Sequence, residues 1–295
     1  MKRITLILSV VFGIVLLSCQ NEKIENNNDD LLSEKGAQII LTETTLESAA
    51  IEMEYEVDFY ANAEDLLAKR KRSGKLWKWT NRLRYRINQC PEVNISSEEG
   101  GYPKTITLDY GDGTELGNGK VLRGVVVVEI SAPRKSENYN RQVTYTDFGV
   151  DYITINGTSV VTIDRGEDVI RTIESVLSFT LDDGSVINRS SERTWQWLEG
   201  MNTETDQTDD KIQITGFALA ENPDGDVYRK DIVEPLIRIR DCRYIVQGIV
   251  EVTLNNELAS SMDYGNGECN SMAILIKDGE SIEIDLSKKH KKKDN

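Results

Sequence analysis

The chain has 295 residues, with 50 Asp and Glu against 35 Lys and Arg, and a formal net charge of −15 at neutral pH. A body this acidic repels phosphate backbones, which argues against nucleic-acid binding. The single histidine, His290, lies in a charged tail, so histidine-based triads and zinc sites are excluded, and no P-loop, dinucleotide fingerprint or Cys-x-x-Cys pair is present.

Lys2 and Arg3 precede an apolar run from Ile4 to Leu17. At ~1.5 Å per residue this run is too short to cross ~30 Å of hydrocarbon, and it suits a signal peptide. It ends in Leu16-Leu17-Ser18-Cys19, which resembles a bacterial lipobox. The resemblance implies that residues 1–18 are removed and that Cys19 is lipidated, anchoring the chain to the outer membrane. Residues 19–40, with QNEKIENNNDD directly behind Cys19, are too polar to offset chain entropy and read as a flexible tether. Acidic residues close behind the cysteine resemble the surface-export signal of Bacteroidota lipoproteins. That implies the cell surface, with the periplasmic leaflet as the alternative.

Residues 41–88 are expected to form a helix followed by a basic segment. Over 45–68, Ile51, Met53, Tyr55, Val57 and Phe59 alternate with acids as in a strand. Leu46, Ala50, Met53, Val57, Tyr60 and Leu67 follow a helical stripe instead. The segment lacks Gly and Pro and is far longer than a usual strand, so a helix is expected. The stretch from Lys69 to Arg86 carries no acid; it folds back on the acidic body, or Lys69 to Arg72 forms a cleavage site.

Residues 89–286 change character, with short runs rich in Val, Ile, Thr and Tyr between polar turns. Asn156-Gly157, Asp183-Gly184, Asp224-Gly225 and Asp278-Gly279 suit tight hairpins. The expected fold is mainly β: an antiparallel β-sandwich or partly closed barrel-like sheets with an N-terminal helix, either undivided or as two subdomains split near 165. Residues 287–295 form a basic, solvated tail.

The string Asp-Tyr-Gly-x-Gly occurs at Asp109 and again at Asp263, each time behind a cysteine, Cys90 or Cys242. It reads as a duplicated turn in which the aspartate bonds back to turn amides and Gly111 or Gly265 takes a positive φ. In an oxidising compartment Cys242 and Cys269 are expected to staple the second copy. Glu115 stands at the corresponding position of the first, leaving Cys90 as the odd thiol.

The pieces CPEV (Cys90–Val93), YPKTITLDYG (Tyr102–Gly111), RTWQW (Arg193–Trp197), KIQITGFA, CRYIVQG (Cys242–Gly248) and DYGNGECNSMAILIKDGESIEIDL (Asp263–Leu286) resemble a family of β-rich Bacteroidota lipoproteins. The resemblance implies location and architecture and no chemistry, and it departs from the pattern at Glu115.

Trp77/Trp79 and Trp195/Trp197 are same-face pairs if extended, and are candidate glycan-stacking residues beside the commoner reading of core packing. Asp109/Asp112 and Asn222/Asp224/Asp226 carry oxygen ligands, but turn formation explains them more simply than calcium. No cofactor or metal is expected. The expected function is a non-catalytic binding or structural role at the envelope, with a glycan or protein partner. Alternatives are a glycan-binding accessory of a polysaccharide-uptake system, a fimbrial or adhesin-like subunit, and an acid-pair hydrolase, which needs two carboxylates ~5–9 Å apart.

Overall fold

The structure, a computed structural model, describes residues 32, 34–69, 91–97, 101–116, 119–165, 169–201 and 208–288. The signal peptide, Cys19, Trp77, Trp79, Cys90, the basic segment beyond Lys69 and most of the tail lie outside these residues. The chain is mainly β: one helix, α1 (Lys35–Lys69), precedes an antiparallel sheet of 14 strands. The strands are β1 (Glu92–Ser97), β2 (Lys104–Asp109), β3 (Thr114–Glu115), β4 (Val121–Ile130), β5 (Asn140–Val150), β6 (Ile153–Arg165) and β7 (Val169–Thr180). They continue as β8 (Val186–Glu199), β9 (Lys211–Glu221), β10 (Val227–Ile239), β11 (Ile245–Leu254), β12 (Glu257–Asn266), β13 (Met272–Lys277) and β14 (Glu280–Asp285). Strands pair in chain order, with β3 a short side pair of β4, and no ladder joins β14 to β1, so the sheet is not closed into a barrel.

Three expectations are corrected. The helix begins at Lys35, inside the stretch read as tether, because Ala37, Ile39 and Ile40 already have a core to enter. The sheet is not divided near 165: β6 and β7 pair continuously from Thr154↔Thr180 to Arg165↔Val169. Asn156-Gly157 is no turn but lies inside β6, where the Asn156 side chain clasps a bulge by accepting from the Asp147 amide at 2.8 Å. Asp183-Gly184, Asp224-Gly225 and Asp278-Gly279 do lie between paired strands.

The helix is 35 residues, about 50 Å long, and from Gly36 to Ala61 its side chains are buried or half-buried on every face. Its partners come from β5, β6, β7, β8, β10 and β12 and from the turns beside β2, β4 and β10, so the single sheet wraps it. A helix buried all round needs no amphipathic stripe, which accounts for its ambiguous periodicity. It approaches β12 so closely that a Cβ at Gly36 would lie 2.6 Å from the Ala259 carbonyl oxygen.

The inner face of the sheet is layered by register. One row runs Val143, Ser159, Ser175, Ser191, Ala218, Lys230, Val252 and Ser260 across successive strands. Its small members leave room for the long side chains of the flanking rows, Arg141 and Arg193 on one side and Arg189 on the other. Ser175 and Ser191 satisfy each other across the strands at 2.7 Å.

Both copies of the repeated turn form as expected: the Asp109 carboxylate accepts from the Gly111 amide and that of Asp263 from the Gly265 amide, each at 2.8 Å, with φ of 58° and 94° at the glycines. The tyrosine between them has a role the sequence pattern did not show. Tyr110 donates to Glu56 at 3.1 Å, and the Tyr264 hydroxyl meets that of Thr44 at 2.9 Å, so each turn pins the helix. Cys242 and Cys269 form the expected disulfide, with Cα atoms 5.7 Å apart.

Two measurements test this account. Glu47→Gln leaves Arg189, Arg193 and Lys230 short of a counter-charge and is expected to cost about 3–5 kcal/mol in urea unfolding; a loss under 1 kcal/mol would show these contacts to be incidental. Cys269→Ser is expected to lower stability by roughly 3 kcal/mol, as loop entropy gives for a separation of 27 residues.

Candidate functional site

The interior holds two polar assemblies, one closed and one open. The closed assembly joins six helix carboxylates, all at most 3% exposed, to bases of the sheet. Glu43, Glu47, Glu54 and Asp58 recur at helical spacing along one face. Glu43 accepts from Arg189 at 3.2 Å and from Tyr228 at 2.8 Å. Glu47 accepts from Arg189 at 2.7 Å, from Arg193 at 3.2 Å and from Lys230. Glu54 takes Arg141 and Ser159, both at 3.3 Å, and Asp58 takes Arg141 at 3.0 Å and Arg171 at 2.7 Å. Around the helix, Glu52 and Glu56 share Arg240, at 2.7 and 3.3 Å, and Glu52 also faces Lys120 at 3.7 Å.

Electrostatics keep three of these acids, Glu47, Glu52 and Asp58, ionised. For Glu47 burial is the largest influence and opposes charge, but Lys230, Arg193 and Arg189 together outweigh it and hold the carboxyl well below its usual range. Glu52 and Asp58 are lowered in the same way, against burial, by Arg240 with Lys120 and by Arg171 with Arg141. Carboxylates held like this do not serve as proton donors near neutral pH. Asp210, after the segment that follows β8, behaves in the opposite way. Burial, reinforced by repulsion from Asp58, raises its carboxyl to about 7, against a hydrogen bond from Trp197.

The open assembly is a cavity of about 1670 Å³ alongside the N-terminal half of α1. The helix contributes Gln38, Thr42, Thr45 and Ser48, the half-buried stripe of an otherwise buried segment. The walls include Ile153, Ile187, Ile245, Tyr152 and Tyr244, and the turns after β5, β7 and β9 form part of the rim. At the edge of this stripe Lys120 is 4% exposed and donates to the Ser48 hydroxyl at 3.0 Å and to its carbonyl at 3.2 Å. Burial brings its ammonium down to about 8, against the attraction of Glu52.

Trp195 and Trp197 do not meet this cavity. Trp195 is fully buried, with its ring centroid 5.4 Å from Tyr55 and 6.1 Å from Trp197, so neither of its faces can stack on a sugar. Trp197 is half-buried beneath the Arg171 guanidinium, 4.5 Å from the ring centroid. The Asn222 side chain accepts from the amides of Asp224 and Asp226 at 3.0 and 2.9 Å, which is turn chemistry. Among the described residues no cluster of His, Cys, Asp and Glu could hold a metal, and no helix is long and apolar enough to cross a membrane. The cavity residues escaped the sequence reading because Thr and Ser within a helix carry no motif. The one available signal was the spacing of Gln38, Thr42, Thr45 and Ser48 among apolar neighbours.

No protein-family model matches the chain, and no curated protein or solved structure matches it either.

Asp210 yields a pH prediction. Its carboxyl binds a proton more tightly folded than unfolded, so its contribution to stability is fully present below about 4 and is lost as pH rises toward 7. Asp210→Asn is therefore expected to raise the melting temperature at pH 7.5 and to leave it unchanged at pH 4. An equal gain at both pH values would assign the effect to packing.

Proposed function

We propose that the protein is a lipid-anchored, non-catalytic binding protein of the bacterial envelope that takes its ligand in the cavity beside α1. The observation that carries the reading is the cavity itself: about 1670 Å³ against the half-buried stripe of α1. Ligand sites are concave spaces with a few convergent polar groups, and this one adds Gln38, Thr42, Thr45 and Ser48 to apolar walls. The closed assembly supports a structural role for the buried acids, since each carboxylate is engaged by arginine or lysine. The lipobox-like Leu16 to Cys19 and the acidic residues behind it support the anchor and a surface position.

Cys19→Ala is expected to abolish incorporation of a palmitate analogue and to move the protein from the membrane to the soluble fraction. Protease added to intact cells is expected to digest the wild-type protein; full protection would place it on the periplasmic leaflet. For the cavity, the dialysable fraction of an envelope extract is expected to raise the melting temperature of the wild type but not of Thr45→Trp, whose indole covers the middle of the helix stripe. A shift retained in Thr45→Trp puts the site elsewhere, and no shift in the wild type removes the binding reading.

A further inference from the structure

The hydrogen-bonding character of the cavity points to its ligand class: the geometry points to an uncharged, polyhydroxylated molecule, a neutral oligosaccharide, lying along the Gln38-Thr42-Thr45 stripe. This inference rests on the cavity being the binding site. Two side chains of the stripe have their only polar protons already committed. Thr42 donates its hydroxyl to the Gln38 carbonyl at 2.9 Å and Thr45 donates to the Leu41 carbonyl at 3.1 Å, as serine and threonine do within helices. The Gln38 amide nitrogen gives one of its two protons to the Leu32 carbonyl. What the two threonines retain toward the cavity are hydroxyl lone pairs, joined by the Gln38 amide oxygen, spaced along about 10 Å of helix. A floor of acceptors calls for a ligand rich in donors.

Charge narrows the class. Each basic side chain around the cavity has a carboxylate within ion-pair distance: Lys35 has Asp226, Lys120 has Glu52 at 3.7 Å, Arg243 has Asp151 at 3.2 Å and Lys288 has Asp285 at 3.6 Å. The cations are thus offset within the protein, while Asp224 adds an exposed carboxylate at the rim. An anionic ligand meets repulsion from both the rim and the acceptor floor. A peptide, for its part, would seek backbone partners, and the wall strands and the helix use theirs in their own ladders and turns. Hydroxyl groups satisfy the acceptors without charge, and the rings of Tyr152 and Tyr244 offer apolar surface to the C–H faces of sugars. The site differs from the Trp195/Trp197 pair in place and in chemistry.

The test is calorimetric titration of the full-length lipoprotein in detergent. The probes are neutral hexasaccharides of glucose, mannose, galactose and xylose, galacturonic acid oligomers, and spermidine. At least one neutral series is expected to bind, with the acidic oligomers and spermidine at least tenfold weaker. Thr42→Val and Thr45→Val preserve shape and remove one acceptor each, and are expected to weaken binding about 3- to 10-fold apiece, the range for one neutral hydrogen bond. Thermal melts of both variants establish that they are folded. Unchanged affinity in folded Thr42→Val and Thr45→Val, or tighter binding of galacturonate or spermidine than of any neutral series, overturns the inference. If no sugar binds while the extract-induced melting shift is still lost in Thr45→Trp, the ligand class falls and the binding cavity stands. If that shift is absent as well, both readings fall.

Discussion

The contact between the acids of α1 and the bases of the sheet is the constraint on which the rest of the architecture depends. A carboxylate in a protein interior is costly unless paired and hydrogen-bonded, and six of them project from one helix. Their partners reach them from β5 to β8 and β10 and from the turns before β4 and after β10, so the sheet must curve around the helix to bring these bases within reach. Such pairs add little net stability over a well-packed apolar core, since desolvation offsets the attraction. What they do fix is position. Arg240 spans Glu52 and Glu56, Arg189 spans Glu43 and Glu47, and Arg141 spans Glu54 and Asp58, so a slide or rotation of α1 would part all three sets.

That fixed register supports the cavity. At its edge, Lys120 ties Ser48 to the start of β4, while the Tyr264 hydroxyl holds Thr44 from β12. The Gln38-Thr42-Thr45 stripe is thereby held at a defined rotation, with its acceptors toward the open space. The interior is charged where it is sealed and neutral where it meets solvent. In most globular interiors the polar groups lie toward water and the apolar ones within.

Much of the scaffold was legible in the sequence. Alternation gave the last hairpin, where Ala273, Leu275, Ile282 and Ile284 are all buried. The repeated Asp-Tyr-Gly string gave its turn, and the cysteine spacing gave the disulfide. What stayed hidden was everything that depends on distant partners. Glu47 and Arg193 are nearly 150 residues apart and look like ordinary surface charges, because burial of a charge is set by the tertiary fold and leaves no local mark. Trp195 is buried, as the commoner reading of core packing has it; the surface alternative stayed open because alternation tells two faces apart but does not say which is lined by the helix. The start of the helix was misplaced because composition told more of the polar stretch before it than of Ile39 and Ile40 within it.

The order of elements along the chain bears on biogenesis. The segment that ends in the centre of the molecule is synthesised before any strand that will surround it. An all-apolar helix of this length would invite retention in a bilayer or aggregation while it waited. Six carboxylates let it persist in water as a solvated segment until the arginines of β5, β7 and β8 arrive. The sheet then has a template to assemble on, strand by neighbouring strand, each pairing closing only a short loop. The charges that look extravagant in the finished interior are what make its centrepiece soluble at the stage when it stands alone.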